Sequence, residues 1–276
     1  MTIDSHVHFW KFDKKRDSWI TDEMNVLRQD YLPEHFETIA RRNGIDGVVA
    51  VQADQSELET HFLSELATTH PLIKGVVGWI DLRNDALYDR LRYFSQYPVI
   101  KGWRHIVQTE ADDFLLNKAF RKGVARLKEF GYTYDILIYH TQLPAATDFI
   151  TELNDQKMII DHCAKPDIGS GEMKEWSKWM REMAKNKNIC CKVSGLFTET
   201  KWKSWSSADF YPYLDVVFEA FGTERTVFGS DWPVMMLSGI YVQWKSLLEK
   251  YLENVSNEEK EQFFGKNAIE FYSLGM

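Results

Sequence analysis

A closed (β/α)8 barrel is the architecture predicted by this sequence of 276 residues, on three observations. Eight strand-like apolar runs alternate with helix-like runs. Several of the strand-like runs are uninterrupted, as in Gly47 to Val51, and that is the pattern of strands buried on both faces of a parallel sheet. No linker or shift of composition divides the chain, whose length suits one barrel of about 250 residues. The expectation is one domain over 1–276 with extra C-terminal helices.

Each element has its own justification. Ile3 to His8 alternates apolar and polar, so Asp4, His6 and His8 share one face of a first strand. Lys11 to Arg28 is charged, with Trp19 and Ile20 interleaved, and reads as a loop folded over something. Pro33 opens a helix over Glu34 to Asn43, stopped by Gly44. Strands over 46–52, 73–80 and 99–105 then alternate with helices over 57–70 and 87–95. A helix over 119–130 ends at Gly131, and strands over 133–139 and 157–161 flank a helix over 147–154. The helix over 174–185 carries Trp176, Trp179, Met180 and Met183 on one side. Strand 189–193, helix 210–221 and the short strand 226–228 complete the count. Helices over 241–252 and 258–272 are expected to pack outside.

Composition narrows the function classes. Hydrophobic residues at 44% and charged residues at 27% can bury a core without staples, and 10 tryptophans suit the walls of a wet cleft. A net charge of −8 argues against a nucleic-acid partner. Cys163, Cys190 and Cys191 form no CxxC pair and read as reduced core thiols. With no secretory leader and no run long enough to span a membrane, the expected address is cytoplasmic, without a membrane partner. A homo-oligomer is compatible with the sequence.

In such a barrel the working residues stand at the C-terminal ends of strands. That filter selects His6 and His8, Arg104 and His105, Tyr139 and His140, Asp161 and His162, and Ser230 and Asp231. His35, His61 and His70 fall in or beside helices and are set aside. Two imidazoles at i and i+2 either bind a cation together or polarise and position a substrate; the alternative is a structural hydrogen-bonded pair.

These residues carry a resemblance. His-Val-His-Phe-Trp (6–10), Gly-Val-Val-Gly-Trp-Ile-Asp-Leu (75–82), Lys-Gly-Trp-Arg-His (101–105), Asp-His-Cys-Ala-Lys-Pro (161–166), Lys-Val-Ser-Gly-Leu (192–196) and Phe-Gly-Ser-Asp-Trp-Pro-Val (228–234) span the barrel. Together they resemble the amidohydrolase superfamily, and within it the "amidohydrolase 2" branch that includes L-fuconolactonases, L-rhamnonolactonases and pyrone-dicarboxylate lactonases.

The resemblance implies a hydrolase that opens a sugar-acid lactone, with a small-molecule cyclic ester as its partner. Asp231 takes the part of the base that deprotonates water, His162 that of a group holding the carbonyl oxygen, and His6 and His8 that of the first-strand pair. It leaves a fork over metal: one divalent ion such as zinc on His6, His8 and Asp231, or no metal. The binuclear form is not expected, because Tyr139-His140 rather than a lysine follows strand five.

Arg104 and His105 are candidates for clamping a carboxylate or polyol, and alternation lets only one point inward. Tyr139, His140 and Gln142 could hydrogen-bond substrate hydroxyls, while Trp10, Trp103 and Trp232 could face the C–H side of a sugar ring. Asp231 could instead cap a helix opened by Trp232-Pro233, and Trp202 and Trp205 could form a lid. The rival functions are a metal-dependent amidohydrolase or decarboxylase on the same barrel and a sugar-acid binder without turnover.

Overall fold

The computed structural model describes residues 1–275. Eight strands, β1 (Ile3–Val7), β2 (Gly47–Val51), β3 (Ile73–Gly78), β4 (Ile100–Ile106), β5 (Thr133–Leu137), β6 (Met158–Ile160), β7 (Ile189–Val193) and β8 (Thr226–Phe228), pair in chain order. Every pairing is parallel. The residues just after β8 close the ring: Val7 bridges Trp232, His8 N donates to Trp232 O at 2.7 Å, and Asp231 N donates to His6 O at 2.9 Å.

Helices α1 (Pro33–Asn43), α2 (Glu57–Thr69), α3 (Leu87–Phe94), α4 (Lys118–Val124), α5 (Leu143–Glu152), α6 (Lys174–Met183), α7 (Ser207–Phe221) and α8 (Tyr241–Tyr251) intervene or follow. Local chemistry sets their ends: Ser56 Oγ accepts from Glu59 N at the start of α2, and Asn117 Oδ1 from Phe120 N at the start of α4. Among the described residues no helix is long and apolar enough to cross a membrane.

Two of the longer expected helices divide. The run expected over 119–130 becomes α4 and a tight turn over Leu127–Phe130. The run over 258–272 becomes α9 (Asn257–Glu261), a widened turn at Gln262–Lys266 and α10 (Asn267–Phe271). That turn packs Phe263 and Phe264 against Phe228 of β8. Nor does the last segment lie outside the barrel as expected. Ala268, Phe271, Tyr272 and Leu274 cluster with the inward Ile3, Val49, Val51, Val77, Ile159 and Val227, plugging the N-terminal end. Apolar inward positions demand a cover there, and the C-terminal residues supply it.

The opposite end holds the polar interior. Inward positions near the C-terminal ends of β4, β5 and β7 are Arg104, Asp135 and Lys192, all buried. A bulge between Asp4 and Val7 turns Asp4 off the shared face assigned from the sequence. Its carboxylate accepts instead from Ser230 N at 2.9 Å and Tyr241 OH at 2.9 Å, tying β1 to the closing segment and α8.

Candidate active site

A cavity of about 450 Å³ opens at the C-terminal mouth, with His8, Arg104, His162 and Asp231 in its wall. Asp231 sits at φ +65°, a left-handed conformation uncommon outside glycine, with its backbone N fixed to His6 O. This geometry aims the carboxylate at the imidazoles of the first strand and away from the following turn. Asp231 Oδ1 lies 3.3 Å from His8 Nε2, 3.8 Å from His6 Nε2 and 3.8 Å from His162 Nε2. The side chain therefore does not serve as the helix cap.

His162 begins a run of four residues with positive φ, continued by Cys163, Ala164 and Lys165. Such conformations cost about 1–2 kcal/mol per residue, and here they turn two side chains toward the cavity: the imidazole of His162 and the ammonium of Lys165. His162 Nδ1 pairs with Ser194 Oγ at 2.8 Å. Gly195 makes room for that ring. It adopts φ +64°, and a Cβ there would fall 2.5 Å from His162 Nδ1.

The electrostatics favour a charged base beside the lowered imidazoles of His6 and His162. Burial alone would push the Asp231 carboxyl up, but His162, His8 and Lys165 more than offset it and hold it below the usual carboxylate range. Burial pulls His162 down to about 4 against the opposing pull of Asp231 and Asp161. It drives His6 well below its ordinary value as well, against Asp161 and with Lys192. Near neutral pH, Asp231 is an anion able to accept a proton.

Beneath the histidines lies a charged layer. Arg104 Nη1 donates to Asp161 Oδ2 at 3.0 Å, and its Nη2 donates to the Gln52 carbonyl. Lys192 Nζ reaches Asp135 Oδ2 at 2.5 Å, Asp161 Oδ1 at 3.0 Å and His6 Nδ1 at 3.2 Å. Asp135 Oδ2 also accepts from Tyr272 OH at 2.7 Å, so the layer rests on the C-terminal plug. For Asp161 the cations of Lys192 and Arg104 outweigh burial and keep it ionised.

His6, His8, His162 and Asp231 thus come together, joined by Arg104, Tyr139 and Trp10 in the cavity wall. His105 does not join them. Alternation along β4 turns it outward, where it stacks on Phe114 at 5.0 Å, accepts from Trp79 Nε1 and donates to Glu110 Oε1 at 2.9 Å. The same alternation sends Trp103 against Phe94 and Tyr132. Trp232 is buried among Tyr31 and Phe36. His140 turns away to donate to Lys165 O at 3.0 Å, and Gln142 donates to Val107 O.

The loop over 11–28 contributes Trp19 and Met24 to the wall. Of the suggested lid, Trp202 lines the cavity, whereas Trp205 stacks on Phe197 at 4.3 Å. Sequence reasoning missed Lys165 and Glu199, which line the cavity as an ion pair at 3.4 Å with Tyr139 under the ammonium. It also missed Lys192 and Asp135. Their signal was present: a lone charge inside an otherwise apolar parallel strand must face the barrel axis and find a counter-charge there.

His6, His8 and Asp231 offer ligand-type atoms within 4.8 Å of one another, a spacing that could hold a metal ion.

Comparison with known proteins agrees with this geometry. Residues 3–274 match the model of a family described as amidohydrolase. An L-fucono-1,5-lactonase of Burkholderia multivorans is 35% identical over 286 residues, covering 99% of this chain and 96% of that one. A second L-fucono-1,5-lactonase, from Burkholderia ambifaria, is 29% identical over 280 residues, covering 99% and 95%. The crystal structure of an amidohydrolase from Burkholderia multivorans with bound zinc superposes with a TM-score of 0.96 at 35% identity, over 100% of both chains.

Proposed function

We propose, from the premise that this chain belongs to the amidohydrolase family, that it is a lactonase opening the ring of a sugar-acid lactone. The observation that carries the reading is the ionised Asp231, packed against His8 and His162 at the wall of a cavity that also holds Arg104. The likeness to L-fucono-1,5-lactonases over nearly the whole chain supports the substrate class and makes L-fuconolactone the first substrate to try. Three free thiols support a cytoplasmic address.

Asp231 accepts a proton from water as the water oxygen bonds to the lactone carbonyl carbon, and the C=O electron pair moves onto oxygen. Arg104 and His162 flank the cavity where that negative charge develops, and such donors contribute about 3 kcal/mol each in comparable sites. Collapse breaks the ring C–O bond. The departing alkoxide takes the proton back from Asp231, leaving a hydroxy acid that ionises near neutral pH.

The donor set for one divalent ion is present in this chain. Catalytic zinc is held by three protein ligands and keeps an open position. His6, His8 and Asp231 supply three such ligands, and His8 Nδ1 donates to Val51 O at 2.8 Å, which turns its Nε2 toward Asp231. His6 faces cations on both sides, Lys192 Nζ at 3.2 Å from Nδ1 and Arg104 Nη1 at 3.3 Å from Nε2. An ion held there would polarise the lactone carbonyl or activate a water, and the reaction is drawn through the protein's own groups.

The test is acid release from a panel of sugar lactones, followed by a pH indicator before and after chelator treatment. The expected result is activity on at least one lactone that chelation leaves unchanged, and a fall of at least ~10³-fold in Asp231→Asn with folding intact. No acid from any lactone, or full turnover in D231N, overturns the reading.

A further inference from the structure

Four charged side chains reach the cavity wall: Arg104, Lys165, Glu199 and Asp231. Two of them stand at the reacting bond. Asp231 packs against His8 and His162, and Arg104 is anchored beside them on Asp161 Oδ2 at 3.0 Å and on the Gln52 carbonyl. Lys165 and Glu199 are left, an ion pair at 3.4 Å that joins the segment after β6 to the segment after β7. A bolt between two loops would be its plainest use. The distance argues against that use alone, because a committed ammonium–carboxylate bond closes to about 2.7–2.9 Å.

Neither group is spent. An ammonium carries three hydrogens, and among the described residues that of Lys165 meets Glu199 Oε1 and the face of Tyr139, 5.3 Å from the ring centroid. Glu199 Oε1 also accepts from Thr198 Oγ1 at 3.0 Å, while Oε2 accepts from no described residue. Side-chain exposures of 12% and 14% mean that both have given up most of their water, so whatever enters the cavity there has to replace the rest. A hydroxyl suits the pair on both counts, because it donates to a carboxylate oxygen and accepts from an ammonium. A carboxylate would find the ammonium but meet Glu199 as a like charge. A purely apolar group would leave both charges dry. The same cavity supplies the rings of Trp10, Trp19 and Trp202 for the C–H side of such a molecule.

We propose that Lys165 and Glu199 together bind a ring hydroxyl of the substrate, and that this donor–acceptor pair selects an uncharged, polyhydroxylated lactone over a bare or a carboxylated one. The hydroxyl donates to Glu199 and accepts from Lys165, and the ring that bears it presents its carbonyl to Asp231 and His162. The inference rests on the lactonase reading and deepens it by naming the residues that set the substrate. A pair with a purely structural role would affect every lactone alike.

The experiment compares acid release from L-fuconolactone and from δ-valerolactone, a cyclic ester without hydroxyls, by the unaltered protein, Glu199→Gln and Lys165→Met. Each substitution should lower kcat/KM for L-fuconolactone at least ~10-fold more than for δ-valerolactone, the scale of one hydrogen bond to a charged group. Lys165 also acts on the charge of Asp231, but a loss transmitted through the base falls on both lactones and cancels in the ratio. An unchanged ratio overturns the proposal and leaves the lactonase reading intact. Should a single variant not fold, the charge-balanced Lys165→Met/Glu199→Gln replaces it. Should the unaltered protein fail to open either ring, binding of L-fucose decides, since it carries ring hydroxyls and no ester, and the tryptophans of the cavity report its entry by fluorescence. A dissociation constant raised at least ~10-fold in Glu199→Gln bears the proposal out; no binding to the unaltered protein, or equal binding to both, overturns it. Failure on both rings, with L-fucose binding that depends on Glu199, would sink the lactonase reading and leave the hydroxyl site standing.

Discussion

Gly195→Ala is the sharpest perturbation of the site that leaves every polar group in place. The added Cβ would lie 2.5 Å from His162 Nδ1, 2.7 Å from its Cγ and 3.1 Å from its Cβ, so the ring has to yield by about 1 Å to regain ordinary contact. That displacement breaks the 2.8 Å bond to Ser194 Oγ and moves Nε2 away from Asp231. Misplacing a catalytic group by about 1 Å costs roughly 10²-fold in rate, and the left-handed φ of +64° adds about 1–2 kcal/mol of destabilisation. Gly131→Ala is the control: it has φ +73° and nothing within 4 Å of the added atom, so it carries the backbone strain without the clash. Lactone turnover by pH indicator and thermal unfolding are measured on both variants. The expected result is a similar loss of stability in each and a roughly 10²-fold loss of turnover in Gly195→Ala alone. Equal turnover in the two variants would refute the placement of His162 in the reaction.

Two further predictions separate neighbouring residues and a buried acid. Arg104→Lys should lower turnover at least ~10²-fold, because an ammonium cannot reproduce the guanidinium fork between Gln52 O and Asp161. His105→Gln should cost about 1–2 kcal/mol of stability and leave kcat/KM within about threefold, since His105 packs outside the barrel; a reversed pattern would invert the assigned strand faces. Glu59, 4% exposed, has its carboxyl pushed by burial from 4.5 to about 7, against the Ala53 N–H and Arg16. Its folded-state value lies above the unfolded one, so its contribution is intact below pH 4.5 and is lost as pH rises through about 7, by about 3 kcal/mol. Glu59→Gln should keep the acceptor for Ala53 N and raise Tm relative to the unaltered protein by about 5 °C at pH 8, with no gain near pH 4; a pH-independent difference would refute it.

The barrel was legible because each parallel strand announces itself as an apolar run, and strand ends then locate the chemistry. His6, His8, His162 and Asp231 are reached by that rule, which depends only on which residue ends a strand. The readings that missed depended on finer geometry. His105, Trp103 and Trp232 stand at the right height but on the wrong side, and the phase of β4 is not fixed by a pattern in which both faces are buried. Lys165 enters the cavity only because four successive residues turn left-handed, a conformation no propensity signals for His-Cys-Ala-Lys.

The charged layer under the site shows what such reasoning can recover once the fold is known. Asp135 and Lys192 interrupt Thr-Tyr-Asp-Ile-Leu and Ile-Cys-Cys-Lys-Val, sequences that otherwise read as featureless core. In a closed barrel an inward charge on one strand can be neutralised only by inward groups on others, so the two interruptions predict each other across the axis. The count of hydrogens then extends the argument to the active site. Two carboxylates occupy two directions around the ammonium, and what remains is His6. A lysine that satisfied the carboxylates alone could be replaced by apolar packing together with them at little cost to the reaction. One that also stands 3.2 Å from a histidine 3.8 Å from the base links the interior of the barrel to the chemistry at its mouth.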